Sequence, residues 1–237
     1  MRIAILDLTG HPLPLLEDMP RVGAQIESWL SPALPEAEYR SYDIEAGGEP
    51  LPDTDGFDGL LLSGSEYGVY DDRSWNGPLR QLLFDSKAAR KPIYGICFGH
   101  QMMADTFGGR AEKAEIGNVV GARRFDFDDR SVDAHVWHKD QVTKVPPGAS
   151  VTASADHCPV GALAYDFPAA SVQFHPEYTQ SHLRELFRRG AGRDDFLSQN
   201  EADGAVASFQ TTDVRADLMA AEVAAFFRSH GALNPGN

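Results

Sequence analysis

Pro92-Ile93-Tyr94-Gly95-Ile96-Cys97-Phe98-Gly99-His100-Gln101 carries an apolar run into a Gly-x-Cys-x-Gly turn, and Met102-Met103-Ala104-Asp105-Thr106-Phe107 continues it as a helix-like segment. Strand, sharp turn and helix in that order make a nucleophile elbow, in which small flanking residues let the backbone turn and leave the central side chain exposed at the sheet edge. The helix N-terminus favours a thiolate at Cys97 and offers an N–H to a developing oxyanion. The same residues also suit a small cysteine buried under a glycine-rich turn. A partner farther along the chain decides between the two.

Outward from the elbow, strand-like and helix-like segments alternate. Strands are expected at Arg2–Leu8, Glu38–Asp43, Gly59–Leu62 and Pro92–Ile96, and helices at Val22–Leu30 and Leu79–Arg90. That rhythm predicts an α/β fold with a mostly parallel central sheet, helices on both faces, and a site at the carboxyl ends of the strands. From Gly109 the pattern changes to short strands at Val119–Phe127, Val132–Trp137, Val151–Ala155, Gly161–Tyr165 and Ala170–Phe174. This mixed or antiparallel section should return the chain to Cys97. A helical tail comes next, with Thr212 or Asp213 as the cap of its last helix. Met219, Val223, Phe226 and Phe227 form an apolar stripe there, expected to dock onto the domain; a homo-oligomer contact is the other use for it.

The partner for Cys97 is Ser171-Val172-Gln173-Phe174-His175-Pro176-Glu177-Tyr178. Pro176 biases His175 to extended backbone, and side chains two apart on an extended chain share a side. A thiol nucleophile needs a base, and the base needs a group that fixes its tautomer. Cys97, His175 and Glu177 supply the three roles.

With these motifs the chain resembles the class I (triad) glutamine amidotransferase superfamily, and most of all its stand-alone GMP-synthase-like members and γ-glutamyl peptidases. The matching stretches are Phe57 to Ser65, Tyr94 to Gly109, Trp137-His138-Lys139-Asp140-Gln141-Val142 and Val172 to Tyr178. The resemblance implies the flavodoxin-like amidotransferase fold over residues 1–190, with 191–237 as a helical extension packed on the same domain. It also implies a γ-glutamyl thioester on Cys97, formed with release of ammonia or an amine and then hydrolysed. The oxyanion donors it implies are the N–H groups of Phe98 and Ser65, although Gly64-Ser65-Glu66 stands where relatives usually carry Gly-Gly-Pro. Tyr67 to Asp72 should form a pocket wall, and Gly64, Gln101, Trp137 and His138 are the implied substrate contacts. Gln101 would hydrogen-bond the α-amino or carboxylate end of a glutamyl group, or else cap the helix. His138 lacks a neighbouring carboxylate like Glu177 and is the weaker base. Asp140 should hold its loop in shape, His100 should point into the packing, and Cys158 reads as a loop thiol.

Composition fits this reading. The 237 residues are 42% hydrophobic, enough for a full core, and carry a net charge of −14 that opposes binding to a phosphate backbone. Arg123-Arg124 and Arg188-Arg189 are isolated basic pairs. Two cysteines make no disulfide framework. The opening Met1 to Leu6 breaks at Asp7, too short for a signal or membrane segment, so the expected compartment is the cytoplasm. No cofactor is expected, and His157 with Cys158 lacks further ligands at zinc spacing. A small-molecule γ-glutamyl substrate is the expected partner, with no nucleic acid and no membrane. No Gly-x-x-x-x-Gly-Lys-Ser/Thr loop occurs, so ammonia delivery would require a separate synthetase subunit. A cysteine variant of the α/β-hydrolase fold is disfavoured, because there the acid precedes the histidine. A non-catalytic protein of the same fold would be expected to lose the Cys, His and Glu set.

Overall fold

The computed structural model describes residues 1–12, 14–193 and 196–231. In chain order the elements are β1 (Arg2–Asp7), α1 (Val22–Leu30), β2 (Glu38–Asp43), β3 (Gly59–Leu62), α2 (Asn76–Ala88), β4 (Ile93–Ile96) and α3 (Phe98–Thr106). Next come β5 (Arg110–Lys113), β6 (Val119–Phe127), β7 (Ser131–His138), β8 (Asp140–Lys144), β9 (Ala149–Ala155), β10 (Cys158–Tyr165) and β11 (Ala169–Val172). The tail contains α4 (Gln180–Gly190), α5 (Gln199–Ser208) and α6 (Ala216–Gly231).

Among the described residues a nine-stranded sheet runs β2-β1-β3-β4-β11-β10-β9-β6-β7. The first five strands in that order are parallel, and every pair from β11–β10 onward is antiparallel. The parallel centre must be covered on both faces, which is why β3 and β4 are buried at every residue. Alternation along β1 sends Ile3 and Ile5 to one core, beneath α1 and α6, and Ala4 and Leu6 to the other, beneath α2 and α3. A third cluster joins α4 and α5 to β6 through Val120, Ala122, Leu183, Phe187 and Ala205.

The α/β architecture expected from the alternating pattern is the one observed, and α1, β2, β3 and β6 have the expected bounds. Helix α2 begins three residues before Leu79, because Pro78 falls in its first turn, where the missing N–H costs no hydrogen bond. Strands β5 and β8 are additions to the expected set; among the described residues they pair only with each other, in a small second sheet. The stripe on α6 docks within the chain, with Met219, Val223 and Phe227 buried beside α1. Trp29 Nε1 donates to the Ala216 carbonyl across 2.8 Å and pins the start of α6. The expected cap at Thr212 or Asp213 is not used. Asp213 lies before the helix and its N–H donates to Asp133, while the Arg215 carbonyl accepts the first turn's bonds from Leu218 and Met219. Among the described residues no helix is long and apolar enough to cross a membrane.

Candidate active site

β4 and β11 lie side by side and parallel, with Val172 opposite Ile96. The Cys97 N–H donates to the Val172 carbonyl across 2.8 Å, so the strand carrying the histidine loop is stitched to the base of the elbow. Cys97 itself has φ 51°, ψ −100°, a left-handed conformation that costs a non-glycine residue about 1–3 kcal/mol. The two elbow glycines serve close approach. A Cβ on Gly99 would lie 2.8 Å from the Leu62 carbonyl oxygen, and one on Gly95 would lie 2.7 Å from the Gly99 carbonyl. The helix can therefore start directly against β3.

The elbow is interior to the sheet, between β3 and β11, and Cys97 is only 4% exposed. This corrects the expectation of a thiol standing free at the sheet edge: the end of β7 and the loop after β11 close over it. The Trp137 carbonyl oxygen lies 3.7 Å from Cys97 Sγ, and the Gln173 amide donates to the sulfur across 3.6 Å.

His175 and Glu177 come together, but by a different local route from the expected one. β11 ends at Val172, and a turn at Pro176-Glu177 brings Glu177 Oε1 to within 2.7 Å of His175 Nδ1. His135 on β7 clamps this turn at both ends, since its carbonyl accepts from the His175 N–H and its Nδ1 lies 2.9 Å from the Tyr178 carbonyl. The Tyr178 ring stacks on the imidazole at 4.3 Å and 4°. Burial alone would push the His175 pKa down, but the Glu177 carboxylate and the Cys97 sulfur outweigh it and hold the pKa well above the ordinary histidine value. With Nδ1 on Glu177, Nε2 faces the elbow. A Cβ built on Gly64 would sit 2.8 Å from His175 Cε1 and 3.6 Å from Cys97 Cβ, so the nucleophile and base candidates flank this glycine.

The Gly64-Ser65-Glu66 turn is held from three sides. Ser65 Oγ donates to the Leu8 carbonyl at 2.8 Å, the Glu66 carboxylate accepts from the Gly10 N–H at 2.9 Å, and Lys139 Nζ donates to the Glu66 carbonyl at 3.1 Å. Behind it, Glu45 binds Arg73, the Trp75 indole N–H and the Tyr67 hydroxyl. Tyr70 reaches across to the Asp140 carboxylate. On the other side of Cys97, the Gly99 N–H is spent on the Ser63 carbonyl and the Gln101 N–H on the Cys97 carbonyl. Phe98, in the first turn of α3, has no intrahelical acceptor for its own N–H.

A cavity of about 700 Å³ is lined by Ser65, Tyr67, Trp137, His138, His175 and Tyr178, together with Pro12, Leu15 and Phe196; His175 borders it, whereas Cys97 and Gly64 are not among its lining residues. Of the substrate contacts implied by resemblance, Trp137 and His138 line it. Gln101 does not fit the expected free contact or helix cap: it is 3% exposed, and its amide is spent on the Asp140 carbonyl and on Gln173. Burial pushes the His138 pKa down to about 3, so this imidazole is neutral at ordinary pH. Asp140 anchors its segment as expected, at the point where the chain leaves β7 for β8. His100 is fully buried between Ser171 and the Val160 carbonyl. Cys158 is the first residue of β10 and completely buried, not a loop thiol. Gln173 and His135 touch Cys97 and the His175 turn although no local motif marks them.

Cys97, His175 and Glu177 thus lie together at the carboxyl ends of β4 and β11. The chain belongs to the class-I glutamine amidotransferase family, whose model matches residues 26–190. It is 37% identical over 149 residues to a GMP synthase [glutamine-hydrolyzing] of Pseudomonas aeruginosa, covering 55% of this chain and 27% of that protein. A match at 29% identity to gamma-glutamyl peptidase 3 of Arabidopsis thaliana covers 67% of this chain and 70% of the peptidase. The chain thus spans about a quarter of the length of that GMP synthase. The solved structure of a glutamine amido transferase from Methylobacillus flagellatus shares the fold, with a TM-score of 0.73 at 20% identity over 96% of this chain and 94% of that one.

Proposed function

We propose that this chain hydrolyses a γ-glutamyl amide bond, in glutamine or another γ-glutamyl compound, through a γ-glutamyl thioester on Cys97. The observation that carries the proposal is the convergence of the Cys97 side chain, the His175 imidazole and the Glu177 carboxylate behind Gly64. His175 Nε2 holds the thiol proton as an imidazolium that Glu177 and the sulfur favour, and the Cys97 thiolate paired with it attacks the γ-carbonyl carbon. The oxyanion that forms faces the Phe98 and Ser65 N–H groups, which are worth most when already aimed. The imidazolium then protonates the leaving nitrogen, and ammonia or an amine departs. Water gives its proton to His175, attacks the thioester, and the thiol returns as glutamate leaves. Glu177 holds the imidazole in the tautomer this needs and stabilises its charge.

The Ser65 turn is held by bonds within this chain at Ser65 Oγ and at Glu66, which supports a hydrolase that works alone. A second reading, a glutaminase subunit delivering ammonia to a separate synthetase, is supported by the similarity to one part of much longer GMP synthases. Glutamate release by the purified chain from glutamine and a panel of γ-glutamyl amides and peptides tests both. Turnover of any of them by the chain alone supports independence. Silence on all, relieved by a synthetase, supports the second reading and removes the first.

A further inference from the structure

Gln173 takes no part in the chemistry above, yet its side chain is wholly buried and ends on the nucleophile. Its orientation is set by groups whose roles are fixed. The Asp140 carbonyl can only accept, so the Gln101 amide end lying 2.9 Å from it is the NH2 group. That NH2 group is also 3.1 Å from the Gln173 side chain, which must meet it with its oxygen. The NH2 group of Gln173 is thereby turned the other way, onto Cys97 Sγ. The sulfur has a second close polar neighbour, the Trp137 carbonyl oxygen. A carbonyl accepts only and favours the S–H form, whereas an amide N–H donates only and favours the thiolate.

We propose that Gln173 is a positioning residue for the nucleophile: locked in one orientation by Gln101, it donates to the Cys97 sulfur and biases it toward thiolate against the Trp137 carbonyl. No proton is exchanged with the amide, so His175 remains the base. Once the sulfur is acylated it is a weaker acceptor, so the donation is felt most before attack. This rests on the reading of Cys97 as nucleophile. The titratable groups acting on the sulfur are His175, Tyr178 and Cys158, with Glu177 behind His175. His100, on the same helix, is tied to Ser171 and Val160.

The test is the rate of Cys97 alkylation by iodoacetamide against pH, read by peptide mass spectrometry on the full chain. Gln173→Leu should raise the midpoint by about one pH unit and slow alkylation near neutral pH about tenfold. Gln101→Leu, which only frees the orientation, should move it less and in the same direction. With an active substrate, Gln173→Leu should lower kcat and leave KM within about twofold. Gln173→Met, unbranched and closer in length, decides the matter if the leucine variant does not fold. An unchanged midpoint in a folded Gln173 variant overturns the proposal. A shifted midpoint in a chain that turns over no γ-glutamyl compound keeps the role of Gln173 and removes the hydrolase reading instead.

Discussion

Cys97 and Cys158 are both buried thiols, 4% and 0% exposed, the first at the turn after β4 and the second at the start of β10. Around Cys158 the protein offers an apolar cluster and one weak acceptor, the Val160 carbonyl at 3.5 Å. Burial there pushes the thiol pKa up to about 12. Around Cys97 an amide donor, a helix N-terminus and an imidazole raised by a carboxylate converge, and that imidazole borders a cavity. Burial is thus common to both sites, and reactivity depends on which polar groups were buried alongside the sulfur.

The sharpest break in that comparison is Cys97→Ser, which should cut turnover by about 10³-fold or more with the melting temperature little changed. Next is the base. His175→Ala should lose about 10²–10⁴-fold in kcat. Glu177→Gln should cost less, since the amide keeps the size and one hydrogen bond while losing the charge; steady-state kinetics on both variants rank them. Gly64→Ala would push a methyl against the imidazole at 2.8 Å and should lower kcat by about tenfold to a hundredfold, with a smaller change in stability.

Stability against pH sharpens the same contrast. The His175 pKa is raised on folding, so its pairing with Glu177 contributes stability that is fully present below the ordinary histidine pKa of 6.5 and is lost as pH climbs through the raised value. The gap in melting temperature between wild type and Glu177→Gln should therefore narrow from neutral to alkaline pH. The smallest effect belongs to Cys158→Ala. It should cost about 1 kcal/mol through the cavity left behind, measurable by denaturant unfolding, with kcat within about twofold of wild type.

The parallel half of the fold was legible because strand-helix alternation there coincides with clean hydrophobic runs, as in Gly59–Leu62 and Val22–Leu30. The polar strands Arg110–Lys113 and Asp140–Lys144 were not, since among the described residues they pair only with each other and carry little apolar signal. The elbow and the His-Pro-Glu corner stood out as local motifs. What escaped was the packing around them. That Cys97 is roofed by the Trp137 carbonyl and Gln173, and that Gln101 spends its amide internally, depends on the crossing from β7 to β8 over the sheet, which local spacing does not encode.

The central claim is that Cys97 is the acylated nucleophile, and its most direct measurement is mass spectrometry of the wild-type chain treated with a γ-glutamyl electrophile. The expected result is a single adduct on the peptide carrying Cys97, lost in Cys97→Ser and strongly slowed in His175→Ala. An adduct on Cys158, or one on Cys97 that forms equally fast without His175, would contradict the claim.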